Sequence, residues 1–123
     1  MEELTQKIFD AFVRILPQDW DRFVLHMAVA AEMQTVYFFI KTKTGDDYYS
    51  SSMLKKMGIF TEEDYRRARG EASDAVRGFL SGADIPWTGI TIAIDRTGKV
   101  TADPEYEEQP IVIPEEWKKK YLI

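Results

Sequence analysis

The chain contains no cysteine, which excludes disulfides, thiolate nucleophiles and thiolate-held metals. Its one histidine is His26. A metal centre needs several convergent ligands and a catalytic triad needs a base held against a nucleophile, so this lone imidazole reads as a structural or edge-of-sheet residue of a strand. Long apolar runs are also missing. Stretches such as Val36 to Ile40 fall far short of the roughly 20 residues that span a bilayer. No basic stretch followed by an apolar one opens the chain, so the cytoplasm is the expected compartment. Positive charge is scarce as well: 16 Lys and Arg against 21 Asp and Glu leave a formal net charge of −5. That balance opposes direct binding of nucleic acid and favours basic partners. Lys99 follows Gly98, but no glycine-rich phosphate cradle surrounds it. The hydroxyls of Ser50-Ser51-Ser52 lack a nucleophile-elbow pattern and read as caps of a turn. No catalytic residue, cofactor or metal site is expected.

What is present describes an ordinary globular core. At 123 residues, with 45% apolar and 13% aromatic residues, the chain is long enough for one domain spanning 1–123. Leu4, Ile8, Ala11, Phe12 and Ile15 recur at helical spacing until Pro17 ends the helix. Phe23 to Ala30 and Thr35 to Thr42 are rich in β-branched and aromatic residues and read as antiparallel strands. A polar turn over 43–47 leads to a short strand beginning at Tyr48-Tyr49-Ser50. Ser51 to Phe60 fits neither template. Thr61-Glu62-Glu63-Asp64 has the form of a helix N-terminus. The stripe Tyr65, Ala68, Ala72, Ala75, Val76, Phe79 and Leu80 predicts a long helix stopped by Gly82 and Pro86.

Pro86 to Val100 is the most legible stretch. Thr88, Ile90, Ile92 and Ile94 share one face of a strand, and Asp95-Arg96-Thr97-Gly98 reads as a turn whose aspartate bonds to the backbone and whose glycine takes positive φ. A return strand, an acidic segment and a short helix starting near Pro114 complete the order. The expected fold is α+β: an antiparallel sheet of about five strands with two main helices on one face. Tyr37, Phe39, Tyr48 and Tyr49 add aromatic mass, either as further core or as a second face open to a partner.

Asp103, Glu105, Glu107, Glu108, Glu115 and Glu116 accumulate between 103 and 116 without a Lys or Arg. Such repulsion is tolerable in solvent or against cations. The segment therefore reads as a solvated loop or as a docking surface for a basic protein. A paired-carboxylate hydrolase would need two acids fixed in a pocket, for which nothing in this stretch speaks. Lys118-Lys119-Lys120 is too short for nucleic-acid binding and suits a helix C-terminus.

Assembled in order, these residues resemble the YezG-like immunity proteins of bacterial polymorphic toxin systems. The resemblance rests on Leu16-Pro17-Gln18-Asp19-Trp20, Val36-Tyr37-Phe38-Phe39, Pro86-Trp87-Thr88, Asp95-Arg96-Thr97-Gly98-Lys99, the segment 103–107, and Trp117 with Tyr121-Leu122. It implies a non-catalytic antitoxin that binds the toxic domain of a secreted toxin, typically a nuclease, without touching nucleic acid or membrane. Under that reading, the toxin-binding candidates are Asp95, Asp103, Glu105, Tyr106, Glu107 and Glu108, extended by Asp46, Asp47 and Tyr48. A peptide-binding adaptor and a small-ligand or enzymatic α+β domain are the competing functions.

Overall fold

The computed structural model describes residues 2–29, 34–82, 87–107 and 113–123. Helix α1 (Glu2–Val13) is followed by strands β1 (Trp20–Val29), β2 (Gln34–Thr42) and β3 (Tyr48–Ser50), helices α2 (Ser51–Lys56) and α3 (Glu62–Leu80), strands β4 (Gly89–Asp95) and β5 (Val100–Glu105), and helix α4 (Glu115–Tyr121). The strands form one antiparallel sheet in the order β3-β2-β1-β4-β5. The expected α+β fold is therefore the observed one.

Pairing register sorts the side chains, because residues opposite one another in antiparallel strands project from the same face. Rows such as Phe38, Leu25, Ile92 and Ala102, or Ile40, Phe23, Ile94 and Val100, form the inner face. The helices α1 and α3 pack on that face. Phe12 meets Phe23 and Phe38 at 6.2 and 5.3 Å between ring centroids, and Tyr65 meets Phe38 at 6.3 Å. Ala68, Ala72 and Val76 are buried along α3, and their small size admits close approach to the core. Thr61 caps this helix reciprocally with Asp64: each backbone N–H donates to the other's side chain at 3.1 Å, the capping box that the sequence announces.

The outer face carries Phe39, Val24 and Ala93 in one row, and Tyr37, His26, Thr91 and Asp103 in the next. Helix α4 lies on it. Trp117 and Tyr121 form a second buried cluster with Val24 and Ala93, with Phe39, Tyr48 and Leu122 packed around them. Part of the aromatic surplus is thus a second, smaller core. The ambiguous stretch 51–60 resolves into α2 and its exit. Ser50 Oγ accepts from Met53 N at 3.2 Å. Gly58, at φ 81°, lets its own N–H reach Lys55 O and the Ile59 N–H reach Leu54 O, both at 3.0 Å, the Schellman ending of a helix. With only six residues, α2 is too short to display an apolar period.

Candidate functional site

The β4–β5 hairpin organises the acidic region. Gly98 N donates to Asp95 O at 3.1 Å, Asp95 N donates to Lys99 O at 3.1 Å, and Gly98 sits at φ 93°, a conformation that a Cβ would strain. Asp95 Oδ1 accepts from Thr97 N, Lys99 N and the Thr97 hydroxyl at 2.9, 3.0 and 2.5 Å. Those bonds, the Thr97 hydroxyl foremost, hold the Asp95 carboxyl below its ordinary pKa. Arg96 turns back onto the Leu16-to-Trp20 segment. Its Nε donates to Trp20 O at 2.8 Å, its Nη2 donates to Gln18 O, and its guanidinium lies 4.4 Å from the centre of the Trp20 ring. Two of the motifs prominent in the sequence are therefore one structural joint.

Strand β5 is an edge of the sheet. Because Asp95 and Lys99 are a bonded pair and rungs alternate, the backbone of Thr101, Asp103 and Glu105 turns toward β4, while that of Val100, Ala102 and Pro104 faces the open edge. Pro104 brings no N–H there, which blunts the edge against addition of another strand. Asp103 and Glu105 project on the outer face, opposite Thr91 and Gly89. Asp103 is exposed, yet its Oδ2 accepts from the Tyr121 hydroxyl at 2.7 Å. Burial, with that carboxylate second, pushes the Tyr121 phenol well above its usual value. Beyond the strand, Thr88 N donates to Glu105 O at 2.7 Å, and the Thr88 hydroxyl lies between the carbonyls of Glu105 and Glu107. Tyr106 is 58% exposed and Glu107 is exposed. Their side chains leave a backbone that Thr88 holds in place.

The structure thus gathers Asp103, Glu105, Tyr106 and Glu107 along one edge, with Asp95 at the hairpin tip. Glu108 lies outside the described residues. Asp46 and Asp47 are exposed in the turn before β3, at the opposite edge, four strand spacings or about 19 Å away. Tyr48 is half-buried: its ring packs in the α4 cluster, its hydroxyl donates to Ile123 O at 2.8 Å, and burial raises its pKa.

Sequence reasoning had no means of finding the polar seam under α4. Thr91 Oγ1 accepts from Trp117 Nε1 at 2.9 Å and lies 3.2 Å from His26 Nδ1, while the His26 and Trp117 rings meet edge to face at 5.8 Å. His26 is 5% exposed on the central strand β1, so of the two expected roles the imidazole has the structural one and does not sit at the sheet edge. Strand alternation puts His26 and Thr91 on one face, but only the docking of α4 brings Trp117 to them. Among the described residues no group of three or more His, Cys, Asp or Glu side chains could hold a metal ion. No helix among them is long and apolar enough to cross a membrane.

Residues 1–110 match the family described as "Immunity protein YezG-like". The chain belongs to the YezG-like immunity protein family. The match includes both motifs joined through Arg96 and the whole acidic edge, and it ends before α4. Immunity protein YezG of Bacillus spizizenii is 21% identical over 112 residues, covering 88% of this chain and 70% of that protein. Membership makes this an immunity protein, and an immunity protein implies a toxin as partner.

Proposed function

We propose that this immunity protein neutralises a cognate toxin stoichiometrically, by capturing the toxic domain of a polymorphic toxin on its acidic β5 edge inside the producing cell. The observation that carries the reading is the placement of Asp103, Glu105, Tyr106 and Glu107 on one rigid edge of a family member. Acids without intervening cations attract a basic surface, and a half-exposed tyrosine beside them supplies an anchor of the kind interfaces favour. A nuclease fits best as the toxin, because a domain that binds a polyanion presents cations to it. Glu108 continues the same run in sequence, and Asp95 marks its end at the hairpin. A standard interface of roughly 800 Å² per partner is broad enough to pass across α4 toward Asp46, Asp47 and Tyr48.

The test is coexpression of the toxin domain encoded beside this gene with the wild-type chain or with a Glu105→Lys, Glu107→Lys, Glu108→Lys variant. Wild type should restore growth and form a one-to-one complex. The reversed variant should keep its circular dichroism spectrum and melting temperature while association slows at low salt. Unchanged kinetics would place the interface elsewhere, and a toxin fully active beside excess wild-type protein would sink the assignment for that pair.

A further inference from the structure

A second charged surface lies away from the acidic edge. Arg66, Arg69, Ser73 and Arg77 recur along α3 at intervals of three and four residues, so they share one stripe of the helix. With the start of β2 this stripe lines a cleft of about 610 Å³ that also includes Tyr37, Tyr65 and Asp74. The cleft lies beside the first half of β2, which β3 does not pair, since its partners are Phe39, Ile40 and Lys41. Among the described residues, three guanidinium groups thus line the cleft with one carboxylate, in a chain whose net charge is −5.

The walls are fixed while the arginines are not consumed. Tyr65 is anchored by its hydroxyl, which donates to Val36 O at 2.7 Å. Arg69 lies 5.7 Å from the centre of the Tyr65 ring and has no carboxylate partner among the described residues. Arg66 and Arg77 touch Glu62 and Asp74 only at 3.4 Å, with side chains 70% and 68% exposed; such pairs are weak and exchange readily for a better ligand. At Gly70, between Arg66 and Ser73, an added Cβ would meet nothing within 4 Å, so the floor is open.

We propose that this cleft binds a short carboxylate-bearing segment of a partner polypeptide. From Arg66 to Arg77 the helix rises about 16 Å, the length of roughly five extended residues. Planar guanidinium forks match carboxylates bidentately. Duplex DNA, with a charge every 1.7 Å or so of its axis, would instead run past the arginines onto Glu62, one turn before Arg66. The toxin as owner of the segment rests on the neutralisation reading; the carboxylate specificity does not.

The probe is a dye-labelled peptide of about eight alternating glutamate and serine residues, titrated by fluorescence anisotropy against the full chain at low salt. Saturable binding is expected, lost on adding salt and weakened at least tenfold in an Arg69→Glu, Arg77→Glu variant whose melting temperature is unchanged. Arg69→Gln with Arg77→Gln should fall between. No saturable binding up to millimolar protein, or tighter binding of a single-stranded oligonucleotide of equal charge, would overturn the proposal. Peptide binding by a wild-type chain that fails to protect against the toxin would count against the neutralisation reading alone.

Discussion

Asp95 is the residue whose chemistry its sequence position reveals best. Its Oδ1 gathers three donors from its own turn, and the carboxyl pKa is lowered in the folded chain. A carboxylate with a depressed folded pKa stabilises the fold above its unfolded value of about 3.9 and ceases to do so as pH falls through the folded value. Asp95→Asn should therefore melt below wild type at pH 7, and the two melting temperatures should converge as pH falls below the unfolded carboxylate value and through the lower folded one. A gap that stays constant across that range would mean that the charge is idle. Thr91 offers a second test, buried and neutral. Thr91→Val removes the acceptor of the Trp117 indole N–H and should cost about 1 to 3 kcal/mol in urea denaturation. Combining it with Trp117→Phe should cost less than the two changes summed, since no orphaned donor remains.

Among the elements, α3 and the β4–β5 hairpin were legible because each carries its own boundary signals. The Thr61–Asp64 box starts the helix, and Asp95 and Gly98 close the hairpin. Thr61→Ala should accordingly destabilise the protein by about 1 kcal/mol, read from the urea midpoint at unchanged m-value. Helix α2 was not legible, because its stability comes from Ser50 at one end and Gly58 at the other while only Leu54 is buried within it. Helix α4 was foreseen as a helix but not as the cover of the outer face, a tertiary fact that a seven-residue segment does not encode in its period. Trp117→Ala should cost about 3 to 5 kcal/mol, more than its place beyond the family match would imply. It should also increase binding of an apolar dye as Val24 and Ala93 are uncovered.

At the scale of the molecule, the acidic edge and the arginine cleft stand on opposite sides of the sheet: β5 ends it on one side, and the cleft opens along β2. The acids could be picked out along the chain because they are contiguous. The arginines could not, because helical spacing disperses them among Arg67, Glu71 and Asp74, and the cleft beside them exists only where α3 meets the start of β2. If the toxin is captured as proposed, such a separation of charge would orient an incoming basic domain before contact, an effect that works over a Debye length of about 10 Å at 0.1 M salt and collapses at higher ionic strength. Raising salt from about 0.05 to 0.5 M should therefore lower the wild-type association rate by about tenfold or more while the dissociation rate changes little. In the Glu105→Lys, Glu107→Lys, Glu108→Lys variant the rate should start lower and depend only weakly on salt. Stopped-flow mixing with the toxin domain measures both slopes. A variant that keeps the wild-type slope would assign the steering to the chain's net charge and not to the β5 edge.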